Sequence, residues 1–184
     1  MSEASQQHTI FLVTGSVQGG KTTFLSELVD LLKKRGLKVG GFLSPGSFDS
    51  GERSGFKLKN IATGMELPMA SAQETGEWIK YRRFWFNPDA FKQGFEWIQA
   101  CLVQEPHVVV IDEVGPMELN GSGWLEGLES LRTSSVPIQI WSVRERLLSE
   151  VLERWDVPSE NVIRIEEVEA IGAAELISGI VKKK

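Results

Sequence analysis

The chain has 184 residues, 41% hydrophobic and 24% charged, a balance that suits one globular domain with a real core and excludes a disordered chain. Its 25 acids against 20 bases leave a net charge of −5, which argues against a protein built to grip nucleic acid. One cysteine, Cys101, excludes an intrachain disulfide, and no apolar run approaches the ~20 residues of a membrane helix.

The first eight residues, MSEASQQH, lack the apolar stretch of a signal peptide, so the expectation is a cytoplasmic protein, with residues 1–184 as a single domain and a monomer favoured. Residues 9–14, TIFLVT, are apolar and β-branched up to Gly15, and predict a buried strand. From Lys21 to Arg35, Phe24, Leu25, Leu28, Leu31 and Leu32 recur at helical spacing, with Gly36 as the C-terminal cap. LKVGGFLS, residues 37–44, returns as a second strand. Residues 44–69 are rich in Gly and Ser and hold a Thr63–Gly64 turn, which predicts a β-hairpin or ribbon inserted there. YRRFWF, residues 81–86, reads as a further strand, and Asn87 and Pro88 as the cap and first residue of a helix through Val103.

HVVVIDEVGPMEL, residues 107–119, opens as a strand with almost no polar alternation, so both its faces should be covered. A short helix (123–132), a strand (137–142) and a helix opened by a Ser142–Glu145 capping box follow, then a last strand (161–167) and helix (170–183). Strands alternating with helices predict an α/β fold, a mostly parallel sheet with helices on both faces.

GSVQGGKTT, residues 15–23, fits the P-loop pattern G-x-x-x-x-G-K-[ST] and lies between a predicted strand and a predicted helix. Gly15, Ser16, Val17, Gln18, Gly19 and Gly20 would wrap the phosphates with backbone amides, while Lys21 reaches the β- and γ-phosphates. Thr22 would ligate Mg²⁺, and Thr23 completes the motif. A P-loop calls for an acid at the end of a buried strand, and Asp112 after VVVI is the one candidate, holding Mg²⁺ with Thr22. Glu113 beside it is placed to activate a water for in-line attack. Asp112 and Gly115 also satisfy D-x-x-G, a γ-phosphate sensor, but nothing downstream reads N-K-x-D, so a guanine-specific pocket is not indicated.

Arg53 on the hairpin and Arg144 after the fourth predicted core strand are candidate phosphate contacts, each weighed against a plain surface arginine; Arg146 reads as surface charge. The aromatics around Tyr81 and Trp85 read as core beside the hairpin, with a nucleobase contact as the alternative. His8 and His107 have no partners at metal-site spacing.

Beside the P-loop, IDEVGPMEL resembles the D-E-[IV]-G-x-M-E-L signature of the small nucleoside-triphosphatases described in thermophiles and as the cancer-related nucleoside-triphosphatase. GERSGFKL is similar to that family's G-x-R-x-G-F segment through Gly51, Arg53, Gly55 and Phe56, and Phe84 stands where the family often has Tyr. The resemblance runs from about Ile10 to Trp155. It implies a single-domain P-loop fold with a strand between the P-loop strand and the Asp112 strand. It further implies Mg²⁺-dependent hydrolysis of several nucleoside triphosphates, ATP and GTP among them, with Glu113 as base and Glu118 in a supporting place. Two alternatives stay open: a small kinase passing the γ-phosphate to a hydroxyl, and a nucleotide-binding adaptor akin to the GTP-binding accessory protein of molybdopterin-dinucleotide synthesis.

Overall fold

Alternation within single strands builds the core. The structure is a computed structural model that describes residues 8–16 and 19–182. In β1 (Thr9–Thr14), Ile10 and Leu12 face one side of the sheet, Phe11 and Val13 the other, and all four are buried. In β8 (Val108–Val114), Val109 and Ile111 join the first face, Val108 and Val110 the second.

Helices cover both faces. The second receives Leu25, Leu28 and Leu32 of α1 (Lys21–Lys34) and Ala173, Ala174 and Ile177 of α6 (Ala170–Val181). The first is covered by α2 (Pro88–Val103), α4 (Leu125–Arg132) and α5 (Leu148–Trp155) through Ile98, Leu128, Leu131, Val151 and Trp155. Two-sided burial is why these strands lack polar alternation.

With β2 (Val39–Leu43), β9 (Ile138–Val143) and β10 (Val162–Arg164), the parallel strands lie in the order β10-β1-β9-β8-β2, so β9 separates the P-loop strand from the Asp112 strand. Gly41 in β2 adopts φ +94°, and a Cβ there would lie 2.0 Å from the Val110 carbonyl oxygen, so only glycine permits this pairing.

After β2 the sheet continues antiparallel through β4 (Glu52–Asn60), β5 (Glu66–Ser71), β7 (Phe84–Phe86) and β6 (Ile79–Tyr81), with β3 (Gly46–Asp49) also on β4. The β4–β5 turn is held by the Asn60 side chain, which accepts from the amides of Ala62 and Thr63, and Gly64 supplies φ +75°. The β-hairpin or ribbon expected over residues 44–69 corresponds to β3, β4 and β5, and β6 and β7 extend the insertion beyond it.

YRRFWF is not one strand. It folds back at Arg82 and Arg83, Arg82 taking φ +54°, so that Tyr81 pairs with Phe84. The turn leaves both guanidiniums exposed and leaning on the Tyr81 and Phe84 rings, whereas a straight strand would place two adjacent cations in the ladder. Asn87 caps α2 as expected, its side chain accepting from the Asp89 amide. Among the described residues no helix is long and apolar enough to cross a membrane.

Candidate active site

The loop after β1 closes by a bond from the Gly19 amide to the Ser16 carbonyl, and Gly20 enters α1 with φ +90°. Among the described residues no side chain caps α1, and no acid lies in its first turn, which leaves its terminal amides and dipole open to an anion. Lys21 is buried and donates only to the loop's own carbonyls, Gly15 at 3.4 Å and Ser16 at 3.3 Å. It has no acidic partner within ion-pair distance among the described residues, an arrangement that keeps its charge available for an anion. Val17 and Gln18 lie outside the described residues. Thr23 is exposed and forms no bond to Asp112.

Asp112 is completely buried at the end of β8 and receives three donors. Thr22 Oγ1 donates to its Oδ2 at 2.8 Å, the Ser44 amide to the same oxygen at 2.9 Å, and Ser142 Oγ to Oδ1. Burial holds its carboxyl above the usual range, Glu113 pushes the same way, and the three donors pull back. Thr22 and Asp112 thus present hard oxygen donors side by side, beside a charge whose burial is only partly compensated. That donor set fits Mg²⁺, which takes its remaining ligands from phosphate and water. No group of three or more His, Cys, Asp or Glu at metal-holding geometry occurs among the described residues, so the nucleotide would have to complete the shell.

Glu113 has φ +67°, the left-handed region that non-glycine residues rarely enter. The β8–β9 register slips between Ile111 and Val114, and the Glu113 amide is held there by Ser142 Oγ at 2.8 Å. Such a conformation costs on the order of 1–3 kcal/mol and persists only where its surroundings impose it. Asp112 points toward Thr22 and Glu113 to the opposite face, into a cavity, where Arg144 Nη2 meets its Oε2 at 3.3 Å.

Ser142 is therefore not part of a capping box. It is the penultimate residue of β9, and its hydroxyl is engaged by Asp112 and Glu113; the chain then makes a short 3₁₀ turn at Glu145–Leu147 before α5. Glu145 turns instead to Thr14 Oγ1 at 2.9 Å and Arg164 at 3.1 Å. A buried strand acid needs donors more than a helix end needs a cap.

Three comparisons bear on this arrangement. The model of a family described as NTPase matches residues 10–178. The chain belongs to the NTPase family. Among its relatives, the nucleoside-triphosphatase THEP1 of Thermofilum pendens is 33% identical over 152 residues, covering 80% of this chain and 82% of that protein. The THEP1 of Korarchaeum cryptofilum is 31% identical over 163 residues, covering 88% and 73%. The solution structure of a human cancer-related nucleoside triphosphatase superposes with a TM-score of 0.66 at 22% identity, covering 96% of both chains. The crystal structure of THEP1 from Aquifex aeolicus gives 0.64 at 18%, covering 95% and 96%. At those identities the structures attest the fold.

Within this NTPase-family fold, Arg144 reaches the Asp112–Glu113 group and Arg53 does not. Arg53 stacks between Phe48 and Phe56, 5.4 and 5.0 Å from the ring centroids, with its Nε buried and unpartnered. Arg146 is exposed, and His107 accepts from the Lys38 amide in a structural contact. Gly115 lines the cavity, but its amide donates to Glu118 Oε2 at 2.7 Å. Glu118 is itself buried in the short helix α3 (Pro116–Leu119), takes the Trp124 amide on Oε1 at 2.8 Å, and its carboxyl is pushed up to about 7, chiefly by burial.

Two contributors gave no signal in the sequence. Ser44 is an ordinary strand-end serine until β2 lies against β8. Glu166, from the loop after β10, accepts from the Ser16 amide at 2.9 Å, which lowers its carboxyl pKa.

Proposed function

We propose that the chain hydrolyses nucleoside 5'-triphosphates to diphosphate and phosphate in a Mg²⁺-dependent reaction of broad base specificity, ATP and GTP included. The observation that carries this reading is the divergence at Asp112–Glu113: one carboxylate bonded to the P-loop Thr22, its neighbour kinked past it into open space. The relatives' name, nucleoside-triphosphatase, specifies no base.

In this mechanism the amides at the start of α1 bind the phosphates, and the Lys21 ammonium meets charge developing on the γ-phosphoryl oxygens. Thr22 and Asp112 would hold Mg²⁺, which would supply neutralisation of the phosphate charge. A water between the γ-phosphorus and Glu113 forms the new P–O bond and gives its proton to the carboxylate, while the bond to the β–γ bridging oxygen breaks. Arg144 orients Glu113 in the resting state.

Phosphate release from ATP, GTP, CTP and UTP by wild type, Lys21→Ala and Glu113→Gln, with Mg²⁺ and with chelator, tests the reading. Glu113→Gln is expected to bind nucleotide normally and to lose about 100-fold or more in kcat. Wild-type turnover in that variant would remove Glu113 from the chemistry.

A further inference from the structure

Next to Glu113 lies a cavity of about 340 Å³ that hydrolysis does not require. A nucleophilic water takes about 30 Å³, whereas cavities of about 300 Å³ and upward are the size that holds an organic ligand. Its wall is made by Phe56, Tyr81, Phe84, Phe86, Phe91 and Trp124, supplied by the antiparallel insertion, α2 and the segment before α4. Its charged lining is Glu113, Glu118 and Arg144, together with Arg82 and Arg83 of the β6–β7 turn, neither of which is paired with an acid among the described residues.

The placement decides what such a cavity receives. Every residue that lines it lies on the β8 side of the P-loop strand, and none comes from the P-loop, α1, β10 or α6. On the reading above, on which this inference rests, the γ-phosphorus lies between Lys21 and Glu113. The cavity then begins where the nucleophile stands and extends away from the diphosphate being left behind. It is in position for a second substrate.

We infer that this cavity binds a planar aromatic alcohol as phosphoryl acceptor, its ring among the six aromatic side chains, its hydroxyl at Glu113 and any negative charge toward Arg82 and Arg83. The step is balanced by the same base: the acceptor oxygen bonds to the γ-phosphorus and its proton passes to Glu113. The bond from γ-phosphorus to the bridging oxygen breaks, its electron pair leaving on the nucleoside diphosphate. Water is the competing nucleophile when the cavity holds no alcohol. Stacking against these rings favours a flat ring over an aliphatic alcohol by about two- to tenfold for each ring pair.

The test uses the full chain with GTP, Mg²⁺ and 4-(hydroxymethyl)benzoate, an aromatic ring with a primary hydroxyl at one end and an anion at the other, followed by ³¹P NMR. A phosphomonoester should form and exceed free phosphate at saturating probe. 4-Methylbenzoate, without the hydroxyl, should give no ester and slow phosphate release without competing against GTP. Phe84→Trp, which fills the cavity, should lower the ester-to-phosphate ratio about tenfold while the KM for GTP moves less than about twofold. Free phosphate as the sole product at saturating probe overturns the inference. So does competition of 4-methylbenzoate with GTP, which would make the cavity a nucleobase site. Loss of phosphate release in the absence of any probe would instead sink the hydrolytic reading itself.

Discussion

The two halves of the sheet divide the labour. The parallel half, β10-β1-β9-β8-β2, is packed on both faces and places charge: Lys21, Asp112 and Glu113 all stand at or just past its strand ends. The antiparallel half, β3 to β7, is thinner, with several large apolar side chains exposed, and places aromatic surface instead. A strand buried on two sides can hold a carboxylate without water because neighbouring strands bring donors to it, as Ser44 and Ser142 do for Asp112. A strand covered on one side can spare its other side chains to line a cavity.

Trp124 packs 4.5 Å from Phe42 of β2 and 4.8 Å from Phe91 of α2, and it lines the cavity together with Phe56, Phe84 and Phe86 of the antiparallel half. Trp124→Ala should have the largest effect, about 3–5 kcal/mol of lost stability, read by urea unfolding. A single lowered transition would show that the halves unfold together; two separated transitions would show that Trp124 had been the coupling.

Glu118 anchors the loop between them and should make the difference pH-dependent. Its carboxyl rises from 4.5 to about 7 on folding, so the folded state binds the proton more tightly. The sign follows: its contribution is fully present below about pH 4.5 and is lost as pH rises through about 7, worth about 3 kcal/mol over that window. Glu118→Gln should remove this part of the slope when unfolding is compared at pH 5 and pH 8. An unchanged slope would mean that the carboxyl stays ionised in the fold.

Ser142→Ala should cost least, about 1–3 kcal/mol, because it strips a donor from buried Asp112 and an acceptor from the Glu113 amide without opening a large cavity. Thermal unfolding with a parallel phosphate-release assay would show whether stability and turnover fall together, as a shared hydrogen bond requires.

Much of the charged half was legible in the chain itself. TIFLVT, the P-loop residues and VVVID carry their own periodicity and their own turn chemistry, and Asn87–Pro88 announces α2, because these signals act over neighbouring residues. The insertion was legible only as β-rich: Arg82–Arg83 reads as strand until the pairing of Tyr81 with Phe84 folds it back. Ser142 looked like a cap because a local motif cannot show that a strand 30 residues away needs its hydroxyl. Glu113 is the clearest division. Its position beside Asp112 suggested a base, and period-two alternation along β8 already sets it opposite Asp112, but φ +67° comes only with the register slip against β9. The chain by itself determined the strand, loop and helix pattern that reads as a phosphate site, since those signals are local. The aromatic chamber that Glu113 faces was decided by pairings between distant strands, since only packing brings such residues together.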